Sequence, residues 1–255
     1  MRLLELFIAL LFQLIIPGKT LSQAIINTET LLKEIDSTVF FSSNAEGDIK
    51  SGNINLLQFN SSILGGFKKK NHLVRGFVNY EFLSEEKRTI SSDMSGQFRY
   101  NLFVGNHSFY TFFQLQNTLS LQLNKRLVSG LGFRQALIKK DSSKNYFDIG
   151  YGVFYENEVY QETNNSLLDI ENIRISLASF SQFKLGKKCR IMTVTYFQLN
   201  SQNMNDFRVF VEPRFYYDLK KFSFYLKGMY RYHNTPYIDI QNYDSDFLVG
   251  FEYKL

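Results

Sequence analysis

The last ten residues, DFLVGFEYKL from Asp246 to Leu255, alternate in character. Phe247, Val249, Phe251, Tyr253 and Leu255 are apolar or aromatic; Asp246, Gly250, Glu252 and Lys254 are not. A period of two marks a β-strand with two unlike faces, and the same period returns along most of the chain. In KFSFYLKGMYRYH, Phe222, Phe224, Leu226, Tyr230 and Tyr232 fall opposite Lys221, Ser223, Lys227, Arg231 and His233. NIRISLASFSQFKL sets Ile173, Ile175, Leu177, Phe183 and Leu185 against Asn172, Arg174, Gln182 and Lys184. RLVSGLGFRQAL sets Leu127, Leu131, Phe133 and Leu137 against Arg126, Gly130, Gly132, Arg134 and Ala136. In SFYTFFQLQNTLSLQ, Phe109, Phe113, Leu115, Leu119 and Leu121 oppose Tyr110, Gln114, Gln116, Ser120 and Gln122. Two segments, NINLLQFNSSIL and RIMTVTYFQL, alternate poorly and leave their facing open.

About twelve strands follow from this pattern, at 37–46, 51–66, 72–84, 88–104, 108–122, 126–139, 146–158, 171–185, 190–201, 206–218, 221–233 and 243–255. Most exceed the usual strand of about 5–6 residues and match the roughly 9–11 of a tilted membrane crossing. The even-numbered connections are tight and polar: KKKN, GNHS, KKDSSKN, GKKC and LKK. Several odd-numbered ones are long: those around 156–172, 200–206 and 234–245. Short turns at one end and long loops at the other describe an all-β, transmembrane, antiparallel up-and-down β-barrel, with short periplasmic turns and longer extracellular loops. Only a closed sheet satisfies its backbone in lipid, so the last strand is expected to pair with the first.

Composition agrees. The chain holds 26 Phe and 16 Tyr, no Trp and only 3 Pro, and its mean hydropathy is −0.20. An aromatic-rich chain that is not hydrophobic on average suits alternating strands better than packed helices. Past the N-terminus, no run reaches the roughly 18 apolar residues of a spanning helix. Residues 1–24 read as an export signal: Arg2, an apolar stretch from Leu6 to Ile16, then Pro17–Gly18 and small residues at Ser22 and Ala24. A lead-in over 25–36 and a barrel over 37–255 follow. The expected localisation is the outer membrane of a Gram-negative-type cell.

With the apolar face toward lipid, strand parity assigns the charged residues to the lumen. These are Arg75, Glu81, Arg99, Arg126, Arg134, Asp148, Glu156, Arg174, Arg208, Glu212, Arg214, Asp218, Lys227, Arg231 and Glu252. Both signs are present, so they can fill the barrel as ion pairs or line a narrow pore. Tyr100, Tyr151, Tyr155, Tyr217, Tyr230, Tyr232 and Tyr253 are candidates for interfacial belts. In the closing strand, Phe247, Val249, Phe251, Tyr253 and Leu255 form the alternating terminus that assembly machinery reads.

Catalytic chemistry finds little footing. Cys189 is the single cysteine, so internal disulfides and Cys-cluster metal sites are excluded. The net charge of +5 comes without a long basic tract, which speaks against nucleic acid. Of three histidines, His72 and His107 lie beside tight turns, and only His233 stands at the long-loop end, with Asp244 and Ser245 near it in sequence. Nothing in the sequence enforces a triad geometry there. No cofactor motif appears.

The stretch AIINTETLLKEIDSTVFFSSNAEGDIKSGNINLLQFNSS, the hairpin ending in GLGFR at Gly130–Arg134, and the closing TPYIDIQNYDSDFLVGFEYKL together resemble the salt-induced outer membrane proteins, a family filed as a domain of unknown function. The first strand departs from the family's Trp- and Gly-bearing start, with STVFFSS in its place. The resemblance implies an integral outer-membrane barrel and adds no catalytic residue. The expected function is a non-enzymatic envelope component or narrow pore, linked by the family's name to salt or osmotic conditions. The expected partners are membrane lipid and, during biogenesis, periplasmic chaperones and the barrel-assembly machinery. A surface-binding role for loops 157–171 and 234–245 is the alternative, and a barrel hydrolase the remote one.

Overall fold

The computed structural model describes residues 38–50, 55–140, 145–162, 166–219 and 222–253. The expected signal and lead-in, together with Lys254 and Leu255, lie outside them. Twelve strands follow one another: β1 (Val39–Lys50), β2 (Leu56–Lys69), β3 (His72–Glu85), β4 (Arg88–Val104), β5 (His107–Thr118), β6 (Leu123–Lys140), β7 (Asn145–Gln161), β8 (Leu167–Lys184), β9 (Cys189–Asn200), β10 (Phe207–Asp218), β11 (Phe222–His233) and β12 (Tyr243–Tyr253). They form one sheet in the order β1 to β12, each antiparallel to the next. Among the described residues the hydrogen-bonded order runs from β1 to β12 without a β12–β1 pairing.

The sheet curls strongly on itself. Arg208 on β10 bonds Glu156 and Glu158 on β7, passing over β8 and β9. In a flat sheet those strands would stand about 14 Å apart at the usual spacing of nearly 5 Å. The curled sheet has an inverted character. Its outer face shows Phe98, Phe109, Leu131, Ile175, Leu177, Phe224, Phe247 and Val249, each about half exposed or more. Its inner face buries Arg75, Arg99, Gln114, Gln116, Arg126, Glu156, Arg174, Arg190, Gln198 and Arg208. A water-soluble fold does the reverse.

The strands in the two poorly alternating segments have settled faces. On β2, Leu57, Phe59, Ile63 and Phe67 point outward and Leu64 inward. On β9, Arg190, Met192, Val194, Gln198 and Asn200 are buried inside. Alternation failed there because apolar Met192 and Val194 occupy inward positions. Pro213 interrupts the β10–β11 register between Val211 and Arg214, as expected of a residue without a backbone donor.

Two expectations are corrected at the long-loop end. The segment 157–171 is mostly strand: β7 pairs with β8 out to Gln161 and Leu167. Strand pairing satisfies the backbone of this polar stretch as well as water would, so polarity did not mark a loop. The strand over 108–122 stops at Thr118, and Leu119–Leu121 form a 3₁₀ turn with Gln122 left-handed at φ 53°. That turn breaks the parity. Leu119 stays exposed, but Leu121, expected on the outer face, is buried at 2%.

Candidate functional site: a charged lumen with a covered mouth

Inward positions near the long-loop end bring together charges from four strands and one connection. Glu156 on β7 is fully buried. It accepts from three guanidinium groups: Arg126 Nε at 2.7 Å, Arg174 Nε at 2.7 Å and Arg208 Nη1 at 2.9 Å. Glu158, one inward position further along β7, takes Arg208 Nη2 at 2.8 Å and Arg126 Nε at 3.1 Å. Asp206, in the β9–β10 connection, accepts from Arg174 Nη2 at 2.8 Å and Asn200 Nδ2 at 3.0 Å. His233 Nε2 lies 2.7 Å from its other oxygen. Three arginines thus face three carboxylates. Stripping water from so many charges is costly, and charge-assisted, partly bidentate bonds of this kind offset that cost.

The connection between β11 and β12, residues 234–242, folds over this network rather than away from it. The Tyr237 hydroxyl accepts from Arg174 Nη2 at 2.8 Å and Asn172 Nδ2 at 2.9 Å, and donates to Asp206 at 2.5 Å. All its hydrogen-bonding capacity is used. Around the ring, Ile238 and Ile240 join Tyr237 in packing on the buried cluster Leu121, Leu123 and Tyr160. The mouth therefore has an apolar cover above a salt-bridged floor. Burial raises the Asp206 carboxyl, but hydrogen bonds from His233, Arg174, Tyr237 and Asn200 outweigh it and hold the group well below the usual carboxylate range. Burial, aided by Asp206, pushes the Tyr237 phenol above its ordinary value.

Below the network, an amide ladder descends the wall. Arg126 Nη1 donates to Gln116 Oε1 at 3.3 Å, Gln114 to Gln116 at 2.8 Å, and Gln97 to Gln114 at 3.0 Å. At mid-depth the lumen is aromatic, with Phe154, Phe180 and Phe210 buried and Tyr196 in contact with the last two. Toward the tight turns the pairs are looser. Arg134 meets Asp148 at 2.7 Å and lies 4.1 Å over Phe180; Arg190 meets Asp218 at 2.9 Å and lies 3.6 Å over Tyr216. Arg75 and Arg99, register partners on β3 and β4, are both buried, and Arg99 lies 4.0 Å over Tyr110.

The remaining parity candidates are placed as follows. Glu212 pairs with Arg214 at 2.7 Å and approaches Lys227 at 3.9 Å; Arg231 pairs with Asp244 at 3.1 Å. Glu81 is half-buried on β3. Glu252, Phe251 and Tyr253 lie on β12, but their side chains fall outside the described residues. Of the tyrosines considered for the belts, Tyr151, Tyr155, Tyr217 and Tyr230 are exposed outside, and Tyr100 is engaged by His72 at 2.7 Å. His233, Asp244 and Ser245 do not converge: His233 is bound to Asp206 and Asp244 to Arg231. No cluster of His, Cys, Asp and Glu fit to hold a metal ion occurs among the described residues. Parity reasoning missed Glu158, Asp206, Tyr237, Asn200 and Arg190, while it set Asn172 on the polar face with Arg174. Glu158 shares the parity of Glu156, and Asp206, first residue of the expected strand 206–218, that of Arg208, so both were legible; Tyr237 sits in a connection, where parity has no meaning.

The family model for proteins of unknown function, DUF481, matches residues 44–255. The chain belongs to this family. Among solved structures, the DUF481 chain is similar to the NanC porin in a rhombohedral crystal form, at 10% identity and a TM-score of 0.48, covering 86% of this chain and 100% of the porin chain. That likeness is too distant to carry an inference. A search of curated proteins found no significant relative. Within this DUF481 chain, the lumen's carboxylates near the mouth are engaged by guanidinium groups, amides, His233 and the Tyr237 hydroxyl. What the arrangement does chemically is neutralise and seal.

Proposed function

We propose that the protein is a non-enzymatic barrel of an outer membrane whose lumen is shut at its cell-exterior mouth, an envelope component rather than a standing pore. The observation that carries this reading is the three-arginine, three-carboxylate network beneath the Tyr237 cover, which takes up the hydrogen-bonding groups that a hydrated channel would leave to water. The apolar outer face supports a lipid surround, and the tight-turn end is assigned to the periplasm because membrane barrels carry their longer loops outside.

Planar-bilayer recording tests the reading. The purified barrel, folded as judged by heat-modifiable migration, should insert and show no steady conductance at neutral pH. Long-lived open channels under those conditions would overturn it.

A further inference from the structure

Four of the five tight connections carry clustered lysine: FKKKN at 67–71, IKKDSSKN at 138–145, FKLGKKC at 183–189 and LKKF at 219–222. Asp141 is the one carboxylate within these stretches, and Asp218, just before the last, is turned inward to Arg190 at 2.9 Å. The connections at the other end carry the opposite charge, Glu86, Glu162, Asp206 and Asp239 against Lys87. The tight-turn rim is therefore basic, and what it faces follows from its neighbours. The residues flanking the lysines are apolar and exposed: Phe67, Ile138, Leu185, Leu219 and Phe222 range from 39% to 54%. A rim surrounded by water has no cause to show a large apolar side chain at each of these turns. Lys188 Nζ, in the β8–β9 connection, lies 5.8 Å from the ring centre of Tyr217, which is exposed on the outer face. That ammonium leans over the outer wall and not into the lumen. Lysine does this at a membrane edge, its stem along apolar surface and its charge among headgroups.

We propose that the tight-turn rim is a binding surface for the headgroups of anionic glycerophospholipids in the leaflet those turns face. Lys69, Lys187 and Lys188 are exposed, and their ammonium groups meet phosphate as compact point charges. Phe67, Leu185 and Phe222 lie beside them at the acyl boundary, so each turn spans the two layers of the interface. A zwitterionic headgroup brings a quaternary ammonium with its phosphate, which the lysines repel, so the rim selects lipids of net negative charge. A cell-wall polymer offers carboxylates to the same lysines but would leave the flanking apolar side chains in water. The surface rests on the lipid surround of the proposed function and is indifferent to whether the lumen is shut.

Native mass spectrometry tests the surface, on the full folded chain released from detergent with equal amounts of dioleoylphosphatidylglycerol and dioleoylphosphatidylcholine. The expected result is retention of phosphatidylglycerol ahead of phosphatidylcholine. Lys187→Gln combined with Lys188→Gln should cut that preference about fivefold for each lysine lost, and Lys69→Gln combined with Lys70→Gln should do likewise. Lys87→Gln combined with Arg88→Gln removes the same charge from the opposite end and should leave the preference unchanged. Heat-modifiable migration checks that each variant folds; the Lys69 and Lys70 variant decides if the Lys187 and Lys188 variant does not. Equal retention of the two lipids, full preference in the turn variants, or an equal loss in the Lys87 and Arg88 variant would each overturn the surface. So would co-sedimentation with isolated peptidoglycan that is lost in the turn variants while their lipid preference stays. A chain that does not enter phosphatidylcholine vesicles at all would remove the lipid surround and this surface with it. One that enters them without preferring phosphatidylglycerol would remove this surface alone.

Discussion

The two ends of the lumen use the same residue types to different effect. Near the mouth, Arg174 and Glu156 have side chains 0% exposed, Glu156 serves three arginines and Glu158 two, and Asp206 adds His233 and Tyr237 to its one. Toward the tight turns, Arg134 and Asp148 are 18% and 14% exposed, and Asp218 is 24% exposed. There each arginine has one carboxylate and rests its flat face on an aromatic ring. The difference is one of water. A dry pair cannot lose a partner cheaply, because the surviving charge stays buried; a wetted pair hands its orphan to solvent. Arginine stacked on a ring keeps part of its stabilisation even when its carboxylate goes.

The sharpest way to break that contrast is Glu156→Leu. It leaves three buried arginines to the two carboxylates Glu158 and Asp206, around an apolar side chain, and should cost about 3–5 kcal/mol in denaturant unfolding from detergent or vesicles. A cost under 1 kcal/mol would mean that water reaches the network. Tyr237→Phe should follow at about 1–3 kcal/mol, since it leaves Arg174, Asn172 and Asp206 each short of a buried partner. In bilayers, removal of the cover by deleting residues 236–240 should raise conductance above that of Tyr237→Phe; equal silence in both would show that the floor alone seals the lumen. Acid supplies a fourth test. The Asp206 carboxyl is depressed in the folded state, so its contribution is fully present above the unfolded value near pH 4 and is lost as pH falls further. Thermal stability should therefore hold from pH 8 to about pH 4 where Asp206 governs, and Asp206→Asn should flatten the decline below that. Asp148→Asn is expected to be the mildest change, about 1 kcal/mol or less and shrinking further in high salt. If it matched Glu156→Leu, the distinction between dry and wetted ends would collapse.

Much of this was legible from alternation alone. A strand has only two faces, so one parity assignment places a whole segment; Arg126, Glu156, Arg174 and Arg208 are all buried. Parity carries no distance, however, so which arginine meets which carboxylate depends on how far the sheet curls. It also fails where the chain leaves the strand. Leu121, Ile238 and Ile240 are apolar residues in connections, and the sequence does not say that they meet one another over the mouth. Met192 and Val194 misled in the opposite sense, being apolar side chains turned inward to the aromatic mid-section.

The sequence separations inside the network carry a consequence for how the barrel is made. Glu156 bonds Arg174 across 18 residues and Arg208 across 52, and Tyr237 reaches Asn172 across 65. An intermediate consisting of β1 to β8 would hold Glu156 with Arg126 and Arg174 but lack Arg208, Asp206 and the phenol. Later hairpins add partners to groups already buried: β10 and the turn before it bring Arg208 and Asp206, and the connection between β11 and β12 brings the Tyr237 hydroxyl. A chain halted before β11 and β12 would already hold its three arginines and three carboxylates, but would leave Arg174, Asn172 and Asp206 without the Tyr237 hydroxyl that completes them.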